Sequence, residues 1–225
     1  MHTSILAADW SRLGDTYKQA ISDTLVMVAV TLVAAGIFGL VLGTLLYTTR
    51  KGAILENRIV YALINFLVNL VRPIPFIILI SAIGPLTIAV VGTQIGREAA
   101  MFGMSIAASF AVARIVEQNL VSIDPGVIEA ARAMGASPWK IITSVIIPEA
   151  LGPLILGYTF ISIAIVDMSS MAGYIGGGGL GDFAITYGYR AYDWQVTLVA
   201  TVTIIILVQF IQIFGNWLSK KIMRR

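Results

Sequence analysis

The chain has 225 residues, 58% of them hydrophobic and 12% charged, with a formal net charge of +3. A charged fraction about half that of an ordinary soluble domain excludes a water-facing globule and points to a bilayer, and so slight a positive balance does not suggest nucleic acid as a partner. With no cysteine there is no disulfide frame and no thiolate chemistry, and the single histidine, His2, sits next to the initiator, so no metal site is expected.

Residues 1–23 place Ile5, Leu6, Trp10, Leu13, Tyr17, Ala20 and Ile21 on roughly a 3.6-residue period, with Asp9, Arg12, Asp15 and Lys18 between them. An amphipathic helix in the membrane interface is expected, with Trp10 and Tyr17 at headgroup depth. It lacks the basic start and small-residue cleavage site of a signal peptide, so it is expected to be retained. Leu25 to Tyr47 is free of charge and spans ~35 Å as a helix, enough to cross a hydrocarbon core of ~30 Å, and Gly39 and Gly43 offer a close-contact step on it.

Arg50 and Lys51 end that span, and Ile59 to Ile83 reads as the second, carrying Asn65, Asn69, Arg72, Pro73 and Pro75. An arginine at that depth should face the bundle interior or a wet cavity, or bond carbonyls released by the two prolines. Leu86 to Gly92 is too short to cross and reads as an outer loop or re-entrant turn. Ala99 to Val116 is a lean third span, Arg114 to Glu149 a polar loop, Leu151 to about Gly173 the fourth span, residues 174–195 a Gly-rich aromatic loop, and Val196 to Leu218 the fifth span. Basic residues set the orientation. Arg50, Lys51, Arg58, Arg114, Arg132, Lys140, Lys220, Lys221, Arg224 and Arg225 fall on one side, and Arg12, Lys18, Arg97 and Arg190 on the other. Ten against four puts the N-terminus outside and the C-terminus in the cytoplasm, which an odd number of spans requires.

Within the polar loop, Ala130, Ala131, Ala133 and Ala136 favour a helix with a face of little bulk. Gly135 suits its C-terminus, and Ser137 before Pro138 reads as the N-cap and first residue of a second short helix. Glu129 and Arg132 lie one turn apart, free to pair or to bond outward. Glu129-Ala130-Ala131, three residues, Gly135, nine residues and then Val145-x-Ile147-Pro148 resembles the coupling loop of bacterial ABC importer permeases, the helix that docks into an ATPase subunit. Val145 and Ile147 stand where Ile and Leu are usual, near volume-conserving exchanges.

An engine within the chain is not found. No G-x-x-x-x-G-K-[ST] loop is present, and the richest glycine run, Gly176 to Gly181, is followed by no lysine. Gly179-Leu180-Gly181-Asp182 and Tyr192-Asp193 match intramembrane aspartyl protease signatures, but both aspartates lie in one short loop and in reversed order. Acyl-transfer and metallo-hydrolase chemistry lack a usable His or Cys. The glycine run reads either as a flexible hinge or as a gate whose bare backbone lines a narrow path. Tyr187, Tyr189 and Arg190 would then offer contacts to an external partner, and the same tyrosines suit a membrane aromatic belt. Asp167, beside Met168, Ser169, Ser170 and Met171, either lines the path of a small solute or pairs locally with Ser169 or water.

Arg72-Pro-Ile-Pro-Phe76, Gly92-Thr-Gln-Ile-Gly96, Gly176 to Gly181 and Tyr187-Gly188-Tyr189 add a resemblance to the permease of the bacterial methionine ABC importer over essentially residues 20–218. The resemblance implies an all-α membrane protein with the type I ABC importer permease fold, five transmembrane helices and a cytoplasmic coupling helix. It divides the chain into an interfacial segment 1–23, a permease domain 24–218 with its coupling loop at 125–148, and a basic tail 219–225.

It further implies a homodimer in the bacterial inner membrane, served by two ATPase subunits that bind ATP and Mg and by an extracytoplasmic methionine-binding lipoprotein. This chain itself would be non-catalytic and carry no cofactor. Glu129, Ala130, Ala131, Arg132, Gly135, Ala136 and Pro148 would couple to the ATPase. Arg72, Asp167, Met168, Met171, Gly176, Gly178 and Gly181 would line or gate the path, and Tyr187, Tyr189 and Arg190 would meet the binding protein. Asp167 departs from the family pattern. The rivals are the same architecture serving another small solute, such as a polar amino acid, and an ATP-independent secondary carrier, although no internal repeat of spans is found.

Overall fold

In lipid every backbone N–H and C=O must be paired within the chain, and helices do this locally. The computed structural model describes residues 10–223, and all regular structure in that range is helical. The elements are α1 (Trp10–Thr49), α2 (Arg58–Val71), α3 (Phe76–Ala82), α4 (Gly84–Val91), α5 (Arg97–Val121), α6 (Pro125–Ala133), α7 (Pro138–Ile141), a π turn (Ile142–Ile146), α8 (Ile147–Glu149), α9 (Leu151–Tyr174), α10 (Gly179–Phe183), a second π turn (Ala184–Tyr189) and α11 (Trp194–Met223). Of these, α1, α5, α9 and α11 are long and apolar enough to cross a membrane, and α2 with α3 makes a fifth span if the bent pair is counted as one.

Four expectations change. Residues 10–23 run straight into the first span as part of one 40-residue helix, while residues 1–9 of the interfacial segment, and Arg224 and Arg225 of the tail, lie outside the described range. The second span is broken at Arg72 to Pro75, because Pro73 and Pro75 supply no N–H to continue the helical ladder. The stretch read as a loop at Leu86 to Gly92 is helix α4, started by Pro85 and stopped by Gly92 at φ +87°. Arg114, where the expected third span and polar loop overlapped, lies well inside α5, which runs on to Val121 with Arg114 paired to Glu117 one turn along.

The chain forms two compact units. The first comprises Met1–Val33, Pro75–Ile106 and Ser162–Ile211, and the second Ala34–Ile74, Ala107–Ile161 and Gln212–Arg225. In the first, Ala20, Leu180, Phe183, Val196 and Ala200 form an apolar core with Leu13, Tyr17 and Ile21 packed on it. In the second, Leu46, Val68 and Ala113 are buried together against Leu42, Tyr61, Ile64 and Phe110. The Gly39 and Gly43 step is a true contact there. A Cβ on Gly39 would run into Val112, and one on Gly43 into the Ala113 carbonyl and Val116, so α1 and α5 touch nearly backbone to backbone. Tyr158 closes the same unit by donating to the Gly36 carbonyl at 2.7 Å.

Candidate functional site

The polar loop folds as the predicted helix-turn-helix. Asp124 caps α6 by accepting from the Gly126 N–H at 2.8 Å, and Pro125 takes the first position, where no N–H is needed. Gly135 ends the helix at φ +75°, donating to the Arg132 carbonyl at 2.9 Å while Ala136 donates to Ala131 at 3.2 Å. Ser137 then caps α7 through the Lys140 N–H, with Pro138 at its first position. Pro148 interrupts the helix that follows, and the π turn at Ile142–Ile146 just before it absorbs the lost bond.

On α6 only Ala131 is buried, whereas Glu129, Ala130 and Arg132 are exposed, as is Gly135, and Ala136 is half-buried. Glu129 and Arg132 line a cleft of about 140 Å³ shared with Tyr47, Arg50 and Ile128. The Arg50 guanidinium lies 4.4 Å over the Tyr47 ring at its edge. That volume is well below the ~300 Å³ where small-molecule pockets begin, so the cleft suits a single side chain rather than a nucleotide. Met134 and Trp139, 81% and 73% exposed, stand on the same hairpin. Sequence reasoning missed both, although two large apolar side chains in a charged loop stand out from their polar neighbours.

The glycine run does not hang free. Gly176, Gly178 and Gly179 adopt φ of +85°, +74° and +81°, which L side chains resist. Cβ atoms on Gly177 and Gly181 would run into the Ala172 and Ser170 backbone, and one on Gly173 into Asp182. Of the two readings, the flexible hinge does not fit, because the run is wedged against its neighbours. The Gly176 carbonyl accepts from the Gly96 N–H at 3.2 Å, and the Leu180 N–H donates to Thr24 at 2.8 Å. Beside it Arg97 bridges Asp23 at 2.9 Å and Glu98 at 3.3 Å, with Gln19 donating to Asp23 at 3.0 Å. Sequence reasoning did not single out this polar cluster, since its members lie 74 residues apart.

Asp167 and Met171 are exposed on α9 and Met168 is half-buried. The local partner expected for Asp167 is otherwise engaged, because the Ser169 hydroxyl donates to the Val166 carbonyl at 2.7 Å. Tyr187 and Tyr189 are exposed on the second π turn, and the Arg190 guanidinium sits 5.7 Å from the Tyr174 ring centre. These residues share the first unit with the glycine run, whereas Arg72 and the α6 residues belong to the second. Arg72 follows the last turn of α2, its N–H bonded to the Val68 carbonyl at 3.1 Å and its side chain exposed in the single chain. A second group that sequence reasoning missed lies within that unit, where Arg114 on α5 reaches Glu117, Asn65 and Asn69.

The family described as binding-protein-dependent transport system inner membrane component matches residues 39–224. The chain belongs to that family. Membership removes the protease and secondary-carrier alternatives and makes the chain a permease. This permease is 41% identical over 219 residues, 97% of either chain, to the probable D-methionine transport system permease protein MetI of Vibrio cholerae. It is 43% identical over 181 residues, covering 80% of this chain and 82% of the relative, to the methionine import system permease protein MetP of Bacillus subtilis. A solved chain of the MetNI methionine ABC transporter in inward-facing conformations superposes with a TM-score of 0.91 at 38% identity, covering 94% of this permease and 98% of that chain. An amino acid ABC transporter solved with histidines superposes at 0.79 with 17% identity and shares the fold alone.

Proposed function

We propose that this permease is the membrane-spanning subunit of an ATP-driven methionine importer. It works as a homodimer, with two cytoplasmic ATPase subunits that bind ATP and Mg and a methionine-binding lipoprotein outside. The observation that carries the reading is the α6–α7 hairpin: Glu129, Arg132, Met134 and Trp139 are exposed together on a chain otherwise built for lipid. The excess of basic residues on the side of the 50s loop, α6 and α11 supports a cytoplasmic hairpin and an N-terminus outside. The exposure of Arg72 in the single chain supports a dimer, because a cation within a spanning segment needs a polar surrounding and no described residue of this chain pairs with it.

In this mechanism closure of the ATPase dimer displaces the hairpin, and the spans shift between inward-open and outward-open populations. Solute released by the lipoprotein passes the Gly176 to Gly181 wedge and then Asp167, Met168 and Met171, whose soft thioethers suit a thioether side chain. Tyr187, Tyr189 and Arg190 meet the lipoprotein. Reconstituted with its ATPase and lipoprotein in vesicles, the complex is expected to accumulate L- or D-methionine only when ATP is supplied. Asp167→Asn is expected to reduce that uptake several-fold, by about 1 kcal/mol of lost interaction with a passing ammonium group. ATP-independent accumulation would contradict the reading, and unchanged uptake with Asp167→Asn would remove Asp167 from the path.

A further inference from the structure

Apolar packing already holds α2 to α5, through Val68 and Ile64 on the one and Ala113 and Phe110 on the other. A charged group placed at the same contact is therefore not needed for adhesion. Yet Arg114, 15% exposed, lies there with Glu117, 10% exposed, one turn along the same helix and paired with it. The pair cancels its own charge within α5. The second guanidinium nitrogen, Nη2, reaches across to α2 and donates to Asn65 Oδ1 at 2.9 Å and Asn69 Oδ1 at 2.7 Å. Asn69 Nδ2 also donates to Asn65 at 3.2 Å, so both amides are held in one orientation, since guanidinium offers donors only.

Glu117 is buried and Arg114 largely so, while Asn65 is half-buried and Asn69 exposed in the single chain. Polar groups set into a helix contact are best attested as devices that fix register between helices rather than as glue. Single interhelical bonds in membranes average only ~0.6 kcal/mol, but sliding α2 along α5 would break both asparagine bonds together and leave Arg114 Nη2 without its acceptors at the helix contact. The two helices are thus clamped in register at this level. Where each leads gives the clamp a purpose. Only three residues, Ser122 to Asp124, separate α5 from α6, and α2 ends directly at the Arg72 to Pro75 break.

We propose that Arg114, Glu117, Asn65 and Asn69 form a register clamp that carries displacement of the coupling helix α6 through α5 to α2 and its Arg72 end, making them positioning residues for energy coupling. This rests on the ATP-driven import reading, and the control in the test separates the two. The test uses the full complex in vesicles and records methionine uptake and lipoprotein-stimulated ATP hydrolysis side by side. Asn65→Leu with Asn69→Leu, which keeps the Arg114–Glu117 pair and adds no charge, is expected to lower uptake per ATP hydrolysed by about 5- to 100-fold, the range of ordinary coupling energies. Hydrolysis itself is expected to stay within about twofold of the unaltered complex, as that same coupling argument requires. Asn69→Asp, isosteric and still an acceptor, is expected to keep the ratio near that of the unaltered protein. Should the double variant not assemble, Asn69→Leu alone is read in the same way, with a smaller drop expected. Uptake and hydrolysis falling in proportion, or neither changing, would overturn the clamp. An unaltered complex that shows no ATP-dependent uptake would instead overturn the import reading, and the clamp with it.

Discussion

Glu129→Arg is expected to abolish methionine uptake while leaving the permease folded and inserted. Glu129 shares its cleft with Arg50 and Arg132, so the substitution puts a third guanidinium beside two others and removes the only carboxylate lining it. Within α6 the cost is small, a few tenths of a kcal/mol for a like-charge pair one turn apart. At a protein interface it is large, since losing one partner of a desolvated, hydrogen-bonded charge pair costs about 2–5 kcal/mol. At ~1.4 kcal/mol per tenfold, docking of the ATPase should weaken by roughly 30-fold to several thousand-fold. Co-purification in mild detergent, together with uptake in vesicles, reads both quantities. Uptake retained at full rate by Glu129→Arg would count heavily against α6 as the coupling element.

Gly181→Ala is the second large effect, and it acts on folding rather than on coupling. The methyl group would overlap the Ser170 carbonyl and its neighbouring backbone atoms, which cannot swing aside as a flexible side chain would. Overpacking of this kind costs about 1–3 kcal/mol where side chains can yield, and with backbone on the far side the upper end is expected. The useful comparison is Gly135→Ala, where no atom lies within 4 Å of the added carbon and only the φ of +75° opposes it. That substitution should cost no more than ~1–2 kcal/mol. Thermal unfolding in detergent is expected to rank Gly181→Ala well below Gly135→Ala. Equal midpoints would mean that the glycine run is the loose hinge its composition suggests.

How far the sequence could be read depended on whether the deciding interactions were local. The α6–α7 hairpin was legible because its turn is set by Gly135 and Ser137–Pro138, each acting within three residues of itself; the Asp124 cap is equally local and was passed over. The long spans were legible for the same reason, since hydropathy is a local sum. The break at Arg72 to Pro75 was visible as two prolines, but whether prolines kink a helix or end it depends on packing that sequence does not state. The glycine run stayed open between hinge and gate because its wedging comes from Ala172, Ser170 and the Asp182 backbone, known only once α9 turns back on α10. Arg114 marks the expected start of the polar loop, overlapping the end of the third span, because a lone arginine after an uncharged apolar run reads as a stop. Its three partner atoms come from another helix 45 to 49 residues away and from Glu117, one turn along its own.

The absence of cysteine allows the central claim to be tested directly, because Trp139→Cys introduces the only thiol of the chain. Intact cells and inverted membrane vesicles expressing this variant would be treated with a membrane-impermeant maleimide, with and without the ATPase subunit. Force delivered through the hairpin requires labelling in inverted vesicles alone, and protection there when the ATPase is bound. Labelling of intact cells, or labelling in inverted vesicles that the ATPase leaves undiminished, would contradict the account.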